Sequence, residues 1–236
     1  MTKEDFLKYE LTQNKQHFNR YFIDTEFMET VGKIELISIA VVNSGTGINS
    51  REYYAISKDF DFEAVWNDDW LRENVLKVIF YEVSNMYKKS GALKEILEFN
   101  KKNMQDVIQI EGKTNKQIAS EILDFVTTEG VNPVFYGWYC DYDWVVFCWL
   151  FGRMIDLPKG FPMYCIDLKQ HFDLFGISKK EVEENLPKQE NVHSALSDAL
   201  RERQLYSYLV RKTYHSNEVD LGQIIQKHFC GLPIIK

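Results

Sequence analysis

The stretch that most constrains the fold is Tyr21-Phe22-Ile23-Asp24-Thr25-Glu26-Phe27, followed beyond Gly32 by Ile34-Glu35-Leu36-Ile37-Ser38-Ile39-Ala40-Val41-Val42. Short runs of aromatic and β-branched residues favour strands. A largely apolar run like the second marks a central, buried strand. Side chains two apart in a strand share a face, so Asp24 and Glu26 project together while Thr25 points away. Two carboxylates side by side at the end of a buried strand repel each other and lose hydration. A hard divalent cation such as Mg²⁺, which prefers oxygen ligands, relieves both costs. The alternative is a chance Asp-x-Glu on a solvated edge, so the deciding partners must come from elsewhere in the chain.

With 236 residues, 45% of them hydrophobic, the chain can bury one sizeable core and is expected to hold one elaborated domain. Its formal net charge of −7 argues against broad, nonspecific adhesion to nucleic acid or anionic membranes. A nucleic-acid enzyme remains compatible with that charge, because clustered metal ligands are themselves acidic. Cys140, Cys148, Cys165 and Cys230 show no CxxC spacing, and read as small thiols of a reducing compartment. Met1-Thr2-Lys3-Glu4-Asp5 lacks the apolar core of a signal peptide, and no run is apolar enough to span a membrane. The expectation is a soluble, cytoplasmic protein with no membrane partner.

Along the chain, residues 1–19 are polar, with Phe6, Tyr9 and Leu11 as scattered anchors, and form an N-terminal extension. Strands are predicted over residues 20–25, 34–42 and 51–57, and their short connections imply an antiparallel meander. Helical texture follows over residues 60–77 and 82–104, then over residues 114–127, where Ile118, Ile122, Leu123 and Val126 repeat at helical spacing. Lys88-Lys89 and Lys101-Lys102 are either solvated helix faces or phosphate contacts. A fourth strand is predicted over residues 131–137, an apolar helix over 141–151 and a fifth strand over 161–166, with Asp167 capping the next helix. Residues 176–190 read as loop, residues 193–213 as a long closing helix, and residues 214–236 as a tail. The fold class is α/β: a mixed five-stranded sheet flanked by helices, with one domain over 20–213 and a helical insertion near 80–112.

Two further acidic positions meet the needs of the first pair. Asp143 opens the apolar helix beside Trp144-Val145-Val146-Phe147, where an ionised carboxylate needs the helix N-terminus or a metal as partner. Asp141 suits an N-cap better. On one continuous helix His193 and Asp198 would lie roughly 140° apart and could not share a face. They converge if the helix starts near Ser194, with His193 on the preceding loop and Asp198 pointing inward between Ala195 and Ala199. Such small flanking residues suit a helix pressed close to a sheet.

Asp24-x-Glu26, Tyr142-Asp143 and His193-x-Ala195-x-x-Asp198-Ala199 together resemble the DEDDh 3′→5′ exonucleases of the ribonuclease-H-like group. The histidine five places before the last aspartate marks that branch, since the tyrosine branch would need Tyr where Ser194 stands. Phe22-Ile23-Asp24-Thr25-Glu26-Phe27, Ile34-Glu35-Leu36-Ile37-Ser38-Ile39, Arg51-Glu52-Tyr53-Tyr54-Ala55-Ile56-Ser57 and Val145-Val146-Phe147-Cys148-Trp149-Leu150-Phe151-Gly152 are similar to small bacterial exoribonucleases of the polyadenylate-specific 3′-exoribonuclease AS type. The resemblance covers residues 20–210.

The resemblance implies a ribonuclease-H-like fold and hydrolysis of single-stranded RNA from its 3′ end to nucleoside 5′-monophosphates. It implies two Mg²⁺ ions, with Mn²⁺ able to substitute. Asp24, Glu26 and Asp198 would hold one ion, and Asp24 with Asp143 the other. His193 would be general base on the attacking water, while Thr25, through its backbone, and Phe27, through its ring, would line the terminal nucleotide. A DNA exonuclease of the same fold and a catalytically silent RNA-binding domain are the competing readings. A homodimer is compatible with the family, and Leu232-Pro233-Ile234-Ile235 could pack on a partner or on its own chain. The N-terminal extension, the length of residues 80–112 and the bulky Trp144 depart from the compact pattern, and Trp144 could restrict the site or stack on a base.

Overall fold

The computed structural model describes residues 19–127, 132–189 and 191–215. Strand β1 (Asn19–Thr30) pairs antiparallel with β2 (Lys33–Asn43), which pairs antiparallel with β3 (Glu52–Ile56). Gly32 closes the first hairpin in a left-handed conformation, φ 79°, which glycine adopts without a Cβ clash. Strand β1 runs further than residues 20–25 because β2 pairs with it as far as Thr30↔Lys33, across an irregularity between Glu26 and Phe27. That irregularity shifts the register directly beside the Asp-x-Glu pair, as bulges do next to functional sites.

The other edge of β1 pairs parallel with β4 (Pro133–Gly137), and β4 pairs parallel with the two-residue β5 (Ile166–Asp167). The sheet order is β3-β2-β1-β4-β5, a mixed five-stranded sheet whose first three strands form the expected meander. Tyr21, Ile23, Ile39 and Phe135 pack on α4 (Asn115–Thr127) and α5 (Asp141–Phe151). On a second cluster Phe22, Val134 and Tyr136 meet α6 (Leu168–Leu174), the short α7 (Lys179–Asn185) and the long α8 (Ala195–His215). A third cluster joins Ile37 and Ile56 to α1 (Phe62–Asn67), α2 (Lys77–Lys89) and α3 (Lys101–Glu111). The turn Asp69–Leu71 and the π-helical segment Arg72–Leu76 lead directly into α2.

Four expectations are corrected. Residues 82–104 are not one helix: α2 stops at Lys89, Gly91 turns left-handed at φ 80°, and Asn100 caps α3 by accepting the Asn103 N–H. Leu93, Ile96 and Leu97, read at helical spacing, fall in the irregular segment between. The fifth strand is only Ile166–Asp167, and the Pro162-bearing stretch before it lies outside the ladder because proline lacks an N–H to donate. Residues 176–190 contain α7, capped by Ser178, whose Oγ accepts the Glu181 N–H. Asp167 does cap α6, accepting the Lys169 and Gln170 N–H groups. Trp144 is a core residue: it is buried, its ring is stacked on Phe147 at 5.1 Å, and it neither restricts the acidic cluster nor offers a face to a base. The N-terminal extension and the C-terminal tail lie outside the described residues. Among the described residues no helix is long and apolar enough to cross a membrane.

Phe22 joins sheet to helix layer: it is fully buried, with Tyr136 at 5.7 Å and Tyr206 at 5.4 Å between ring centroids. Phe22→Ala is expected to cost about 3–5 kcal/mol through lost burial and the cavity left behind. Urea unfolding of both proteins monitored by circular dichroism measures it.

Candidate active site

The site forms where α8 crosses β1. Strand alternation puts Asp24 and Glu26 on one face, opposite Ala40 and Ser38 of β2. Ala195 and Ala199 on α8 are fully buried against Ala40 and Val42. The small side chains of Ala40, Ala195 and Ala199 let the helix backbone approach the sheet closely, and Asp198, between the two alanines of the helix, is carried onto the acidic pair. The result is a cluster in which Asp24, Glu26 and Asp198 each offer a carboxylate oxygen, all within 4.8 Å of one another.

The start of α8 fixes the aspartate. Ser194 Oγ accepts the Ser197 N–H at 3.3 Å, and the Asp198 N–H reaches the Ser194 carbonyl at 2.8 Å, the first intrahelical bond. His193 therefore stands on the preceding loop. Its backbone is left-handed, φ 66°, its N–H donates to Asp198 Oδ2 at 3.1 Å, and the Gln189 amide donates to Oδ1. The His193 ring lies edge-on to the Trp70 ring, 5.0 Å between centroids.

Asp143 approaches from α5. Its Oδ1 accepts both the backbone N–H of Thr25 at 2.9 Å and the Thr25 hydroxyl at 2.5 Å. Thr25 is buried with its N–H committed, so its part in this geometry is to hold Asp143, which the reading as a nucleotide contact did not anticipate. Phe27 is half-buried and meets Tyr142 edge-on at 5.9 Å.

All four carboxyls are raised above their ordinary range. Burial pushes the Asp24 carboxyl far above its usual range, reinforced by Glu202, Asp143, Asp198 and Glu26 in that order. Burial and the charges of Asp198, Asp143 and Glu82 push Glu26 up to about 8. Asp143 is pushed up to about 6 by burial, against the two Thr25 bonds that hold it down. Asp198 is raised by burial despite Gln189 and His193. Clustered, dehydrated carboxylate oxygens are the donor set of a hard divalent cation, whose charge would favour the ionised forms and oppose every one of these shifts.

The cluster opens on a cleft of about 1030 Å³, lined among others by Asp24, Asp198, Glu202, Trp138, Tyr139 and Lys169. A model of the Rv2179c-like 3′-5′ exoribonuclease domain matches residues 19–210. The chain belongs to that family. A curated relative, the 3′-5′ exoribonuclease Rv2179c of Mycobacterium tuberculosis, is 30% identical over 181 residues, 76% of this chain and 86% of the relative. Among solved structures, Pop2p of S. pombe in its Mg²⁺- and Mn²⁺-bound form aligns with TM-score 0.51 and 14% identity, covering 92% of each chain. Exonuclease I aligns with the same TM-score of 0.51 and 12% identity, covering 91% of this chain and 44% of its own. These likenesses carry the fold, a mixed sheet flanked by helices, and the family match meets the expectation of a nuclease.

Within the Rv2179c-like domain, the structure brings Asp24, Glu26 and Asp198 together, places Asp143 against Thr25 behind them, and sets His193 on the loop above. Sequence reading missed Glu202, buried one turn beyond Asp198, and half-buried Glu82, hydrogen-bonded to Ser194. The spacing of four from Asp198 to Glu202 was a usable signal, since residues so spaced share a helix face. Trp70 and Gln189 carried none, because their contacts depend on distant chain segments.

The raised carboxyls make the metal-free protein sensitive to pH. The folded state retains protons that the unfolded chain has lost, so stability falls as pH rises, by about 1.4 kcal/mol per pH unit for each retained proton. For Glu26 the window runs from its ordinary 4.5 to about 8. In EDTA the melting temperature is expected to fall between pH 5 and pH 8, in steps of roughly one pH unit, and saturating Mn²⁺ is expected to restore it most at the alkaline end. Scanning calorimetry across that range tests both; a melting temperature rising with pH in EDTA refutes the electrostatic account.

Proposed function

We propose that this chain is a divalent-metal-dependent 3′→5′ exoribonuclease that trims single-stranded RNA to nucleoside 5′-monophosphates with two ions, Mg²⁺ or in its place Mn²⁺. The observation that carries this is the trio Asp24, Glu26 and Asp198, with oxygens within 4.8 Å of one another at the head of an open cleft. The choice of RNA over DNA rests on the family.

Asp24, Glu26 and Asp198 would hold one ion, and Asp24 with Asp143 the other. Such a pair would supply an activated water for in-line attack and stabilise the departing 3′ oxygen. Thr25 fixes the Asp143 carboxylate through two hydrogen bonds and thereby leaves its other oxygen for a ligand. His193 takes the proton of the attacking water. Its backbone is tied to Asp198, which keeps the imidazole beside the acids, while the edge of Trp70 limits where the ring can turn. Imidazole is the side chain best suited to act as a base close to neutrality. Phe27, braced by Tyr142, offers an aromatic surface to the terminal nucleotide. The catalytic domain spans residues 20–213, with the segment near 80–112 as a helical insertion.

The test uses 5′-labelled oligo(A) RNA and the same sequence as DNA, with Mg²⁺ or with EDTA. A ladder shortening from the 3′ end of RNA is expected, absent in EDTA. Asp198→Ala is expected to lower kcat/KM by more than the roughly 10–100-fold typical of losing an outer-shell partner. His193→Ala is expected to lower kcat about 10²–10⁴-fold while Mn²⁺ binding is retained. DNA shortened as fast as RNA would replace the substrate assignment. No ladder on either, with Asp198→Ala identical to wild type, would refute the enzyme.

A further inference from the structure

Glu202 is 3% exposed, yet it is an acid. Its Oε1 accepts the Trp138 N–H at 2.7 Å, and its Oε2 is sealed from solvent with no hydrogen-bond partner among the described residues. A buried acceptor without a donor is costly, and a carboxylate more so than an amide. The acid is nonetheless held deliberately: Trp138 presents its N–H from the turn between β4 and α5, where Tyr139 adopts a left-handed φ of 56°. Backbone strain of this kind persists only where the surroundings enforce it.

Two observations place Glu202 beside the acidic cluster. Glu202 lines the cleft together with Asp24 and Asp198, the helix turn between 198 and 202 setting both on one face. It is also the strongest charged neighbour of Asp24. Glu202 is, however, outside the trio whose oxygens lie within 4.8 Å of one another. It stands at the edge of the cation site without completing it. Mg²⁺ gives up water reluctantly and keeps several hydration waters, each with two protons to donate.

The geometry points to Glu202 as a positioning residue for the cation seated on Asp24: Oε2, closed off in the metal-free fold, accepts a hydrogen bond from a hydration water that the ion brings into the cleft floor, while Oε1 stays anchored on Trp138. The inference rests on the metal-dependent reading above. Glu202 touches neither RNA nor the reacting atoms. It orients the water side of the ion, as partners beyond the direct ligands do in metal sites generally. Glu202→Gln keeps the acceptor for Trp138 and fills the same volume, but puts an N–H₂ donor where an acceptor is required. Its effect is therefore on the ion and not on the fold.

The experiment is a Mn²⁺ titration, without RNA, of wild type, Glu202→Gln, Glu202→Asp and Asp24→Asn, by calorimetry and by loss of the free-Mn²⁺ paramagnetic signal, with melting temperatures in EDTA. Glu202→Gln is expected to bind Mn²⁺ roughly 10–100-fold more weakly, to melt in EDTA at or above the wild-type temperature, and to lower kcat with KM for oligo(A) unchanged. Glu202→Asp, which keeps the charge but withdraws it by one methylene, is expected to show the same weakening and decides the matter should the glutamine variant not fold. Wild-type Mn²⁺ affinity in the folded variant overturns the role of Glu202. If Asp24→Asn then still loses the metal, the exonuclease reading stands without it. Failure of wild type itself to bind Mn²⁺ refutes both.

Discussion

The structure depends on one close contact, that of α8 with the middle of the sheet. Ala195, Ala199 and Ala40 are fully buried there, and nothing larger would let the helix lie so near the strands. The contact does for the acids what none of them could do alone. It sets Asp198 against Asp24 and Glu26, whose own neighbourhood is fixed by strand alternation. The far side of the strand is engaged too, because Thr25 reaches back to Asp143 on α5. Four carboxylates from three elements thus meet around a single point of β1.

Folding this cluster opposes its own electrostatics. Packing of Phe22, Tyr136 and Phe172 on one side and of Ile23, Phe135 and Phe147 on the other must outweigh the cost of dehydrating like charges. The same α8 is pinned at a second point, where the Arg203 guanidinium donates to the Gly45 carbonyl at 2.9 Å and to Ser50 Oγ at 2.7 Å. These bonds tie the helix to the β2–β3 connection and oppose any sliding that repulsion among the acids would favour.

Much of this arrangement was legible in the sequence, for physical reasons. The antiparallel meander was written in apolar runs with short connections, and the apolar helix Asp141–Phe151 in its own composition. The start of α8 followed from an angular argument: His193 and Asp198 converge only if the helix begins between them, and it begins at Ala195. What failed was what local pattern cannot carry. Leu93, Ile96 and Leu97 are spaced as in a helix, but the left-handed turn at Gly91 ends it first. Trp144 sits beside Asp143 in the chain, while side chains adjacent on a helix point apart, so the aspartate faces Thr25 and the tryptophan stacks in the core. Glu202, between Arg201 and Arg203, looks like an ordinary residue of a solvated face. Only the tertiary contact with Trp138 shows otherwise.

The buried acids also bear on the sequence in which ligands arrive. A phosphodiester approaching Asp24, Glu26, Asp143 and Asp198 meets charge of its own sign wherever these acids are ionised, on a chain whose net charge is already −7. In the low dielectric of the cleft floor that opposition is far stronger than between groups in water. Under the proposed chemistry, cation loading must therefore come before RNA, and scarcity of free divalent ion would slow the enzyme at capture as well as at cleavage. Under that chemistry the acidic cluster would act as a gate on substrate entry, and metal supply would determine how often it stands open.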